Sequence, residues 1–283
     1  MTILASWVRT SKQGMEELIM ISDSRLNGYG KIDYAPKIFQ MPRSDVIIGF
    51  AGSTIFAYPF LLQVINSVST FYPFLTRAVD YKPFSSWVLN IINDIFSKFH
   101  PPTPIKELED PEVEFIIGGY SWSHKEFFID KIFYVNSIKK FEKKSARNYS
   151  MGKMEVIGDS DLKKEFSLQL KDLISNKYKG NIFNSNDKII SKFDFEPFEV
   201  VRGMLLSKKF DTIGGPPQIL KVSQFMQSNY VAVYWPNKES GNIYVCGRPV
   251  FPFEKLDTWI LDPILLSKSH LFLEKTIKSK RKK

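Results

Sequence analysis

Apolar residues fall along this chain in short blocks that read as strands and in longer stretches with helical spacing. An apolar segment, Ile3 to Val8, runs into a polar turn from Thr10 to Glu17 and a second apolar segment from Leu18 to Ile21, which predicts a β-hairpin. Asp45 to Phe50 reads as another strand. Gly52-Ser53 then opens a helix, with Ser53 as N-cap, apolar residues from Ile55 to Val68 and Pro59 as a distortion inside it. A second helix is predicted over Ser85 to Phe99, with Trp87, Ile91, Ile92, Ile95 and Phe99 on one face, ending at His100-Pro101-Pro102.

The stretch to Pro111 is an acidic loop, after which strands return at Val113 to Tyr120, Lys125 to Val135 and Met154 to Gly158. Between the last two lies a basic polar stretch, Lys139 to Arg147. Leu162, Phe166, Leu170 and Leu173 mark one helix, and Phe198, Val201 and Leu205 another. Asn176 to Lys192, rich in Asn, Lys and Ser, is expected to be a mobile excursion between them. Strands near Gln218 to Val222, Tyr230 to Trp235 and Asn242 to Cys246 close the pattern, followed by a Pro-containing extension. Strands, two helices, strands, two helices, strands is the order, which predicts sheets sandwiched between helical layers.

Composition adds a few limits. With 283 residues and 43% apolar content the chain can bury a sizeable core. Its longest apolar run, around Ile55 to Ile65, is too short to span a bilayer, so no membrane partner is expected. Cys246 is the one cysteine, which excludes an intrachain disulfide and fits a reducing cytoplasm. The net charge of +9 points less to nucleic acid than it first suggests. Lys275, Lys278, Lys280, Arg281, Lys282 and Lys283 carry six of those charges, a terminal cluster that reads as a solvated tail or as a contact to phosphate, membrane or partner.

The residue with the most chemistry is Thr2. Removal of Met1 would leave a threonine whose free α-amino group and hydroxyl form a base and a nucleophile on one residue. Around it stand Asp23-Ser24-Arg25 at the end of the hairpin, Lys37 in Ala-Pro-Lys-Ile-Phe, and Gly49-Phe50-Ala51-Gly52-Ser53-Thr54 before the first helix. Read alone, each has a plainer alternative: a strand-end ion pair for Asp23 and Arg25, an exposed lysine after a proline turn for Lys37, a helix-start glycine for Gly52.

Taken together, Thr2 to Val64 resembles the proteasome peptidase family of N-terminal nucleophile (Ntn) hydrolases, particularly the bacterial HslV peptidase and proteasome β-subunits. Gly-Phe-Ala-Gly-x-Thr carries most of that likeness. The resemblance implies an α+β, four-layer αββα sandwich over residues 1–246, with insertions at about 70–110 and 133–149 and a C-terminal extension over 247–283 ending in the basic tail. It implies Thr2 as the nucleophile of a threonine peptidase, Lys37 as the buried ammonium, Asp23 with Arg25 beside it as the charge partner, and Gly52 as the oxyanion donor. The family's serine near the terminal amine is replaced by Gly158-Asp159-Ser160, which makes Asp159 or Ser160 the candidate for that position. A homo-oligomeric ring, a peptide or unfolded-protein substrate and, for folded substrates, an ATP-driven unfoldase are the implied partners, with no cofactor and no metal. A scaffold or assembly subunit with an unused site is the alternative function.

Other features add no site. His100, His124 and His270 lack metal-ligand spacing, and neither Gly118-Gly119 nor Gly214-Gly215 has a phosphate-loop pattern; the latter, before Pro216-Pro217, reads as a turn. Asp211-Thr212-Ile213-Gly214-Gly215 resembles the family's Asp-x-x-Ser-Gly-Gly element but lacks its serine. Phe71, Tyr72, Phe74, Tyr81 and Phe84 form an aromatic cluster suited to a subunit contact or to a private core.

Overall fold

The structure is a computed structural model that describes residues 2–11, 14–28, 30–99, 110–178 and 192–269. The basic tail, His100, His270 and most of the expected excursion lie outside the described residues.

In chain order the strands are β1 (Ile3–Thr10), β2 (Glu16–Ser22), β3 (Leu26–Asn27), β4 (Lys31–Ile32), β5 (Ile38–Gln40) and β6 (Val46–Gly52). Three helices follow, α1 (Thr54–Thr70), α2 (Tyr72–Leu75) and α3 (Tyr81–Ser97). Next come β7 (Val113–Ser121), β8 (Glu126–Val135), β9 (Lys140–Ser145), β10 (Arg147–Tyr149) and β11 (Gly152–Gly158). Helices α4 (Ser160–Tyr178) and α5 (Glu196–Ser207) precede β12 (Gln218–Ser223), β13 (Ser228–Tyr230), β14 (Ala232–Tyr234), β15 (Ile243–Val245), β16 (Arg248–Pro249), β17 (Ile260–Leu261) and β18 (Lys268–Ser269).

This is a mixed α/β chain with several sheets. One has the order β10-β11-β1-β2-β12-β13 and another β5-β6-β7-β8-β9, both wholly antiparallel. A smaller sheet, β16-β15-β14-β17-β18, runs through residues 232–269, with its β15–β16 pair turning at Cys246-Gly247.

Alternation along the strands assigns the faces. Ile3, Ala5 and Trp7 of β1 with Ile19 and Ile21 of β2 pack under Leu162, Phe166, Phe198 and Val201 of α4 and α5. Leu4, Leu18 and Met20 point the other way, onto Ile47, Ile116 and Ile129 of the second sheet. Val46, Ile48, Phe50, Phe115 and Ile117 then face Phe60, Val64, Phe84 and Val88 of α1 and α3. Because both faces of the central strands are buried, they read in sequence as almost unbroken apolar runs.

Three expectations need correcting. The second helix begins at Tyr81 rather than Ser85, and its buried stripe is Tyr81, Phe84, Ser85, Val88 and Ile92. Pro83 lies in the first turn, where its missing donor costs no helical bond, so the helix starts ahead of it. Trp87, Ile91 and Ile95 are only partly buried beside that stripe. The basic stretch 139–147 holds an edge strand, since β9 pairs with β8 and sinks Phe141, with Lys143 on the same face bonded to Ser85 and Ser86 of α3 while Lys140 and Lys144 are exposed. Finally, the single strand expected at Tyr230 to Trp235 splits between two sheets at Val231.

Candidate active site

The site begins in the register of β1. Ile3 pairs with Gly158 of β11, and Leu4 with Ser22 of β2, so Thr2 lies between the ends of both neighbours. Gly158 has φ +127°, and a Cβ there would fall 2.0 Å from the Thr2 carbonyl oxygen, so only glycine permits this approach. The Trp7 indole N–H donates to the Asp194 carbonyl at 2.8 Å, fastening β1 to the segment that enters α5.

Asp23 and Lys37 meet Thr2 from the two sides of this end. Lys37 Nζ lies 2.8 Å from Thr2 Oγ1, 2.9 Å from Asp23 Oδ1 and 3.0 Å from Asp23 Oδ2. All three side chains are buried. Asp23 also accepts from the backbone N–H groups of Ile3 (3.3 Å), Arg25 (3.1 Å) and Gly214 (3.3 Å). Burial pushes the Lys37 ammonium below its ordinary pKa and the Asp23 carboxyl above its own, while their mutual attraction opposes both shifts. The donor set decides the resting state: one ammonium and three N–H groups directed at one carboxyl fit the ionised form, so Asp23 is a carboxylate beside a lysine whose proton is held less tightly than usual.

The Lys37 backbone is fixed by Gln218, a fully buried side chain that the sequence did not mark. Its Oε1 accepts from Lys37 N at 3.0 Å, and its Nε2 donates to the Asp23 and Ala35 carbonyls at 3.0 and 2.8 Å. One amide thus aligns both members of the ion pair.

Thr2 lines a cleft of about 850 Å³ together with Gly52, Ser53, Glu112 and Asp159, with Leu26, Asn27 and Gly28 along another wall. Gly52 has φ +105°, and a Cβ there would fall 2.0 Å from the Glu112 carbonyl oxygen, which accepts from Ser53 N at 2.7 Å. Ser53 is the N-cap of α1, as expected, but its hydroxyl makes no capping bond. The N-terminus of α1 therefore opens into the cleft, a place where negative charge is stabilised. Asp159 Oδ2 is buried with no hydrogen-bond partner among the described residues. Burial raises its carboxyl above the ordinary aspartate range, and the nearby Asp23 and Glu112 carboxylates push the same way.

Thr2, Asp23, Lys37, Gly52 and Asp159 therefore share one site. Ser160 instead opens α4 as an exposed residue and is not among the residues lining the cleft. Arg25 reaches Asp23 through its backbone N–H, while its guanidinium turns to Asp33 at 2.6 and 2.9 Å. Asp211 lies at the surface, bound to Lys31 at 2.5 Å. Gly214, read from the sequence as part of a turn, is a direct donor to Asp23. Among the described residues no cluster of His, Cys, Asp and Glu could hold a metal ion.

The arrangement sets a buried threonine just ahead of β1 beside a lysine and an aspartate, in a fold that two solved structures share. The chain is similar to an Anbu Gly-1 mutant from Hyphomicrobium sp. strain MC1, with 14% identity and a TM-score of 0.52 over 81% of this chain and 85% of that one. It is also similar to the helical assembly of the Anbu complex from Pseudomonas aeruginosa, with 12% identity and a TM-score of 0.55 over 79% and 81% of the two chains. No family model and no curated protein matches the chain. The expected placement with HslV and the proteasome β-subunits is thereby corrected: the motif likeness of Thr2 to Val64 finds no matching sequence family, and these two structures of similar fold are Anbu proteins. Short motifs at a strand end and a helix start answer to local turn chemistry and do not by themselves fix a family. No helix of the described residues is long and apolar enough to cross a membrane.

Proposed function

We propose that this chain is a threonine-type peptidase that becomes active when Met1 is removed. The observation that carries the reading is the Lys37 ammonium bridging Thr2 Oγ1 and the Asp23 carboxylate, all buried, at the wall of an open cleft. Thr2 Oγ1 attacks a peptide carbonyl and passes its proton to the freed α-amine, which is held neutral by the positive charge of Lys37 nearby. The tetrahedral oxyanion is met by the Gly52 N–H at the head of α1. The amine then gives its proton to the departing amine, leaving an ester on Thr2, and water hydrolyses that ester by the same exchange. Asp159, whose Oδ2 has no hydrogen-bond partner among the described residues, takes the position beside the α-amine.

Two broader readings go with this. The helix–sheet–sheet–helix order of packing supports a four-layer αββα sandwich over 1–246, with 247–283 as its extension. The likeness to an Anbu complex described as a helical assembly supports a homo-oligomer, which we read as a ring; its proposed substrates are peptides or unfolded chains in the cytoplasm, with an ATP-driven unfoldase for folded ones.

The test starts from the intact mass. Loss of Met1, covalent capture of Thr2 by a peptide epoxyketone, and hydrolysis of fluorogenic peptides that Thr2→Ala abolishes are the expected results. A protein that retains Met1 when purified from its own cells, or a Thr2→Ala protein that turns over as fast as wild type, would end the reading.

A further inference from the structure

The carboxylate at the centre of the site depends on a segment almost two hundred residues away in sequence. Gly214 N donates to Asp23 Oδ2, and Ser24 ties the same segment down through its N–H to the Gly214 carbonyl at 3.0 Å and its hydroxyl to the Pro216 carbonyl at 2.8 Å. The residues ahead of Gly214 are held by a set of polar contacts from Arg25 and the β3–β4 hairpin that follows it. Arg25 Nη1 donates to the Asp211 carbonyl at 3.1 Å and the Ile213 carbonyl at 3.4 Å. Asn27 Nδ2 donates to the Thr212 carbonyl at 2.7 Å, and Lys31 Nζ to the Asp211 carboxylate at 2.5 Å. Three consecutive carbonyls of the segment are thus occupied from Arg25 and this hairpin.

The two ends of this clamp differ in strength. The Lys31–Asp211 pair is exposed, with side-chain exposures of 49% and 81%, so water and salt screen it and it contributes little. Arg25 is only 20% exposed, and its fork is locked on both oxygens of Asp33 at 2.6 and 2.9 Å. The guanidinium lies so close over Gly214 that a Cβ there would sit 2.4 Å from Cζ. A flat, doubly anchored cation therefore covers the residue that donates to Asp23.

We infer that Arg25 is a positioning residue, which with Asp33 clamps residues 211–214 so that the Gly214 N–H reaches the Asp23 carboxylate. A donor of this kind favours the ionised carboxylate, which in turn keeps the proton on Lys37 and the charge pattern around Thr2 fixed. The charged groups that act on Asp23 are Lys37 and Arg25, with Asp159 across the cleft. Leu26, Asn27 and Gly28 of the same hairpin line the cleft, so a substrate lying against them presses on the element that carries the clamp. Lysine is a poor replacement at position 25, because one ammonium cannot span the Asp33 carboxylate and two carbonyls in a single plane.

The inference rests on the proposed peptidase activity for one of its readouts only. Hydrogen exchange of the full-length protein measures the clamp directly. In Arg25→Gln the 211–215 amides are expected to exchange at least tenfold faster, with β1 unchanged, and Asp33→Asn should do the same from the other side of the guanidinium should Arg25→Gln fail to fold. In the active enzyme, either change should lower kcat about 10- to 100-fold with KM within about twofold, and move the acid limb of the kcat profile upward. Arg25→Lys should restore less than half of the lost activity. Unchanged exchange at 211–215 in both variants overturns the clamp, and faster exchange with an unmoved acid limb overturns its role at Asp23. If Thr2→Ala proves as active as wild type, the peptidase reading fails while the exchange result still decides the clamp.

Discussion

Replacing Lys37 by methionine tests the site through stability and activity at once. The side chain is fully buried and its ammonium is, among the described residues, the single cation bonded to both oxygens of Asp23. Methionine fills most of the same volume without the charge, so the main loss is electrostatic: Asp23 is left as a buried carboxylate facing backbone donors only. Breaking a buried pair from one side costs about 3–5 kcal/mol, which for a chain of this size corresponds to a fall of roughly 6–15 °C in Tm. Asp23→Asn in the same protein removes the orphaned charge while keeping an oxygen for those N–H groups. The double variant is therefore expected to melt above Lys37→Met alone. Differential scanning fluorimetry at pH 7 gives both numbers, and fluorogenic-peptide turnover should fall about 10²- to 10⁴-fold in the single variant. A single variant that melts within about 2 °C of wild type, or a double variant no more stable than the single, would refute the account of the ion pair. Unchanged turnover would take Lys37 out of the mechanism.

Other outcomes follow from the same structure. Burial acts to raise the Glu17 carboxyl, but Lys268, Lys221 and Arg9 around it win and lower it from 4.5 to about 2. Its contribution is therefore present above pH 4.5 and is lost as the pH falls toward about 2, a change of roughly 3 kcal/mol; Glu17→Gln should flatten that part of the acid melting profile, and a profile identical to wild type would contradict it. Gly158→Ala forces a Cβ against the Thr2 carbonyl at a φ of +127°, so Tm should drop by roughly 5 °C or more and epoxyketone labelling of Thr2 should slow. Asp159→Asn is expected to cut kcat/KM about 10- to 100-fold and to remove an acid limb lying above the ordinary aspartate range, as read from rates between pH 4 and 8.

Much of the fold was legible because its signals are local. The β1–β2 hairpin, the strand before α1, and helices α4 and α5 each announce themselves by period, since burial of one face repeats at the pitch of the element. Helix α3 shows where that fails: its apolar residues wrap around most of the helix, so the sequence admitted several stripes, and contact with α1 and the second sheet chose the one through Tyr81, Phe84 and Val88. Strand β9 was hidden for the opposite reason. Half of its six residues are lysines and Phe141 is its one buried apolar side chain, so it is a strand chiefly because β8 offers an edge to pair with.

The candidate site divides in the same way. Thr2, Asp23, Lys37 and Gly52 could be named from the chain because each sits at a strand end or helix start whose spacing is recognisable. That they converge was decided by the register Ile3 to Gly158 and by Gln218 bridging Lys37 and Asp23. Nothing in the local sequence marks Gln218 or Asp33, and Gly214 was legible only as part of a turn and a family-like element, because the importance of all three lies in which other groups they meet in space. The sequence by itself determined the elements and the reactive residue types, which depend on near neighbours. Only the tertiary structure decided the charge environment, because the Lys37–Asp23 pair is aligned by groups a few ångströms away in space that lie up to 195 residues away along the chain.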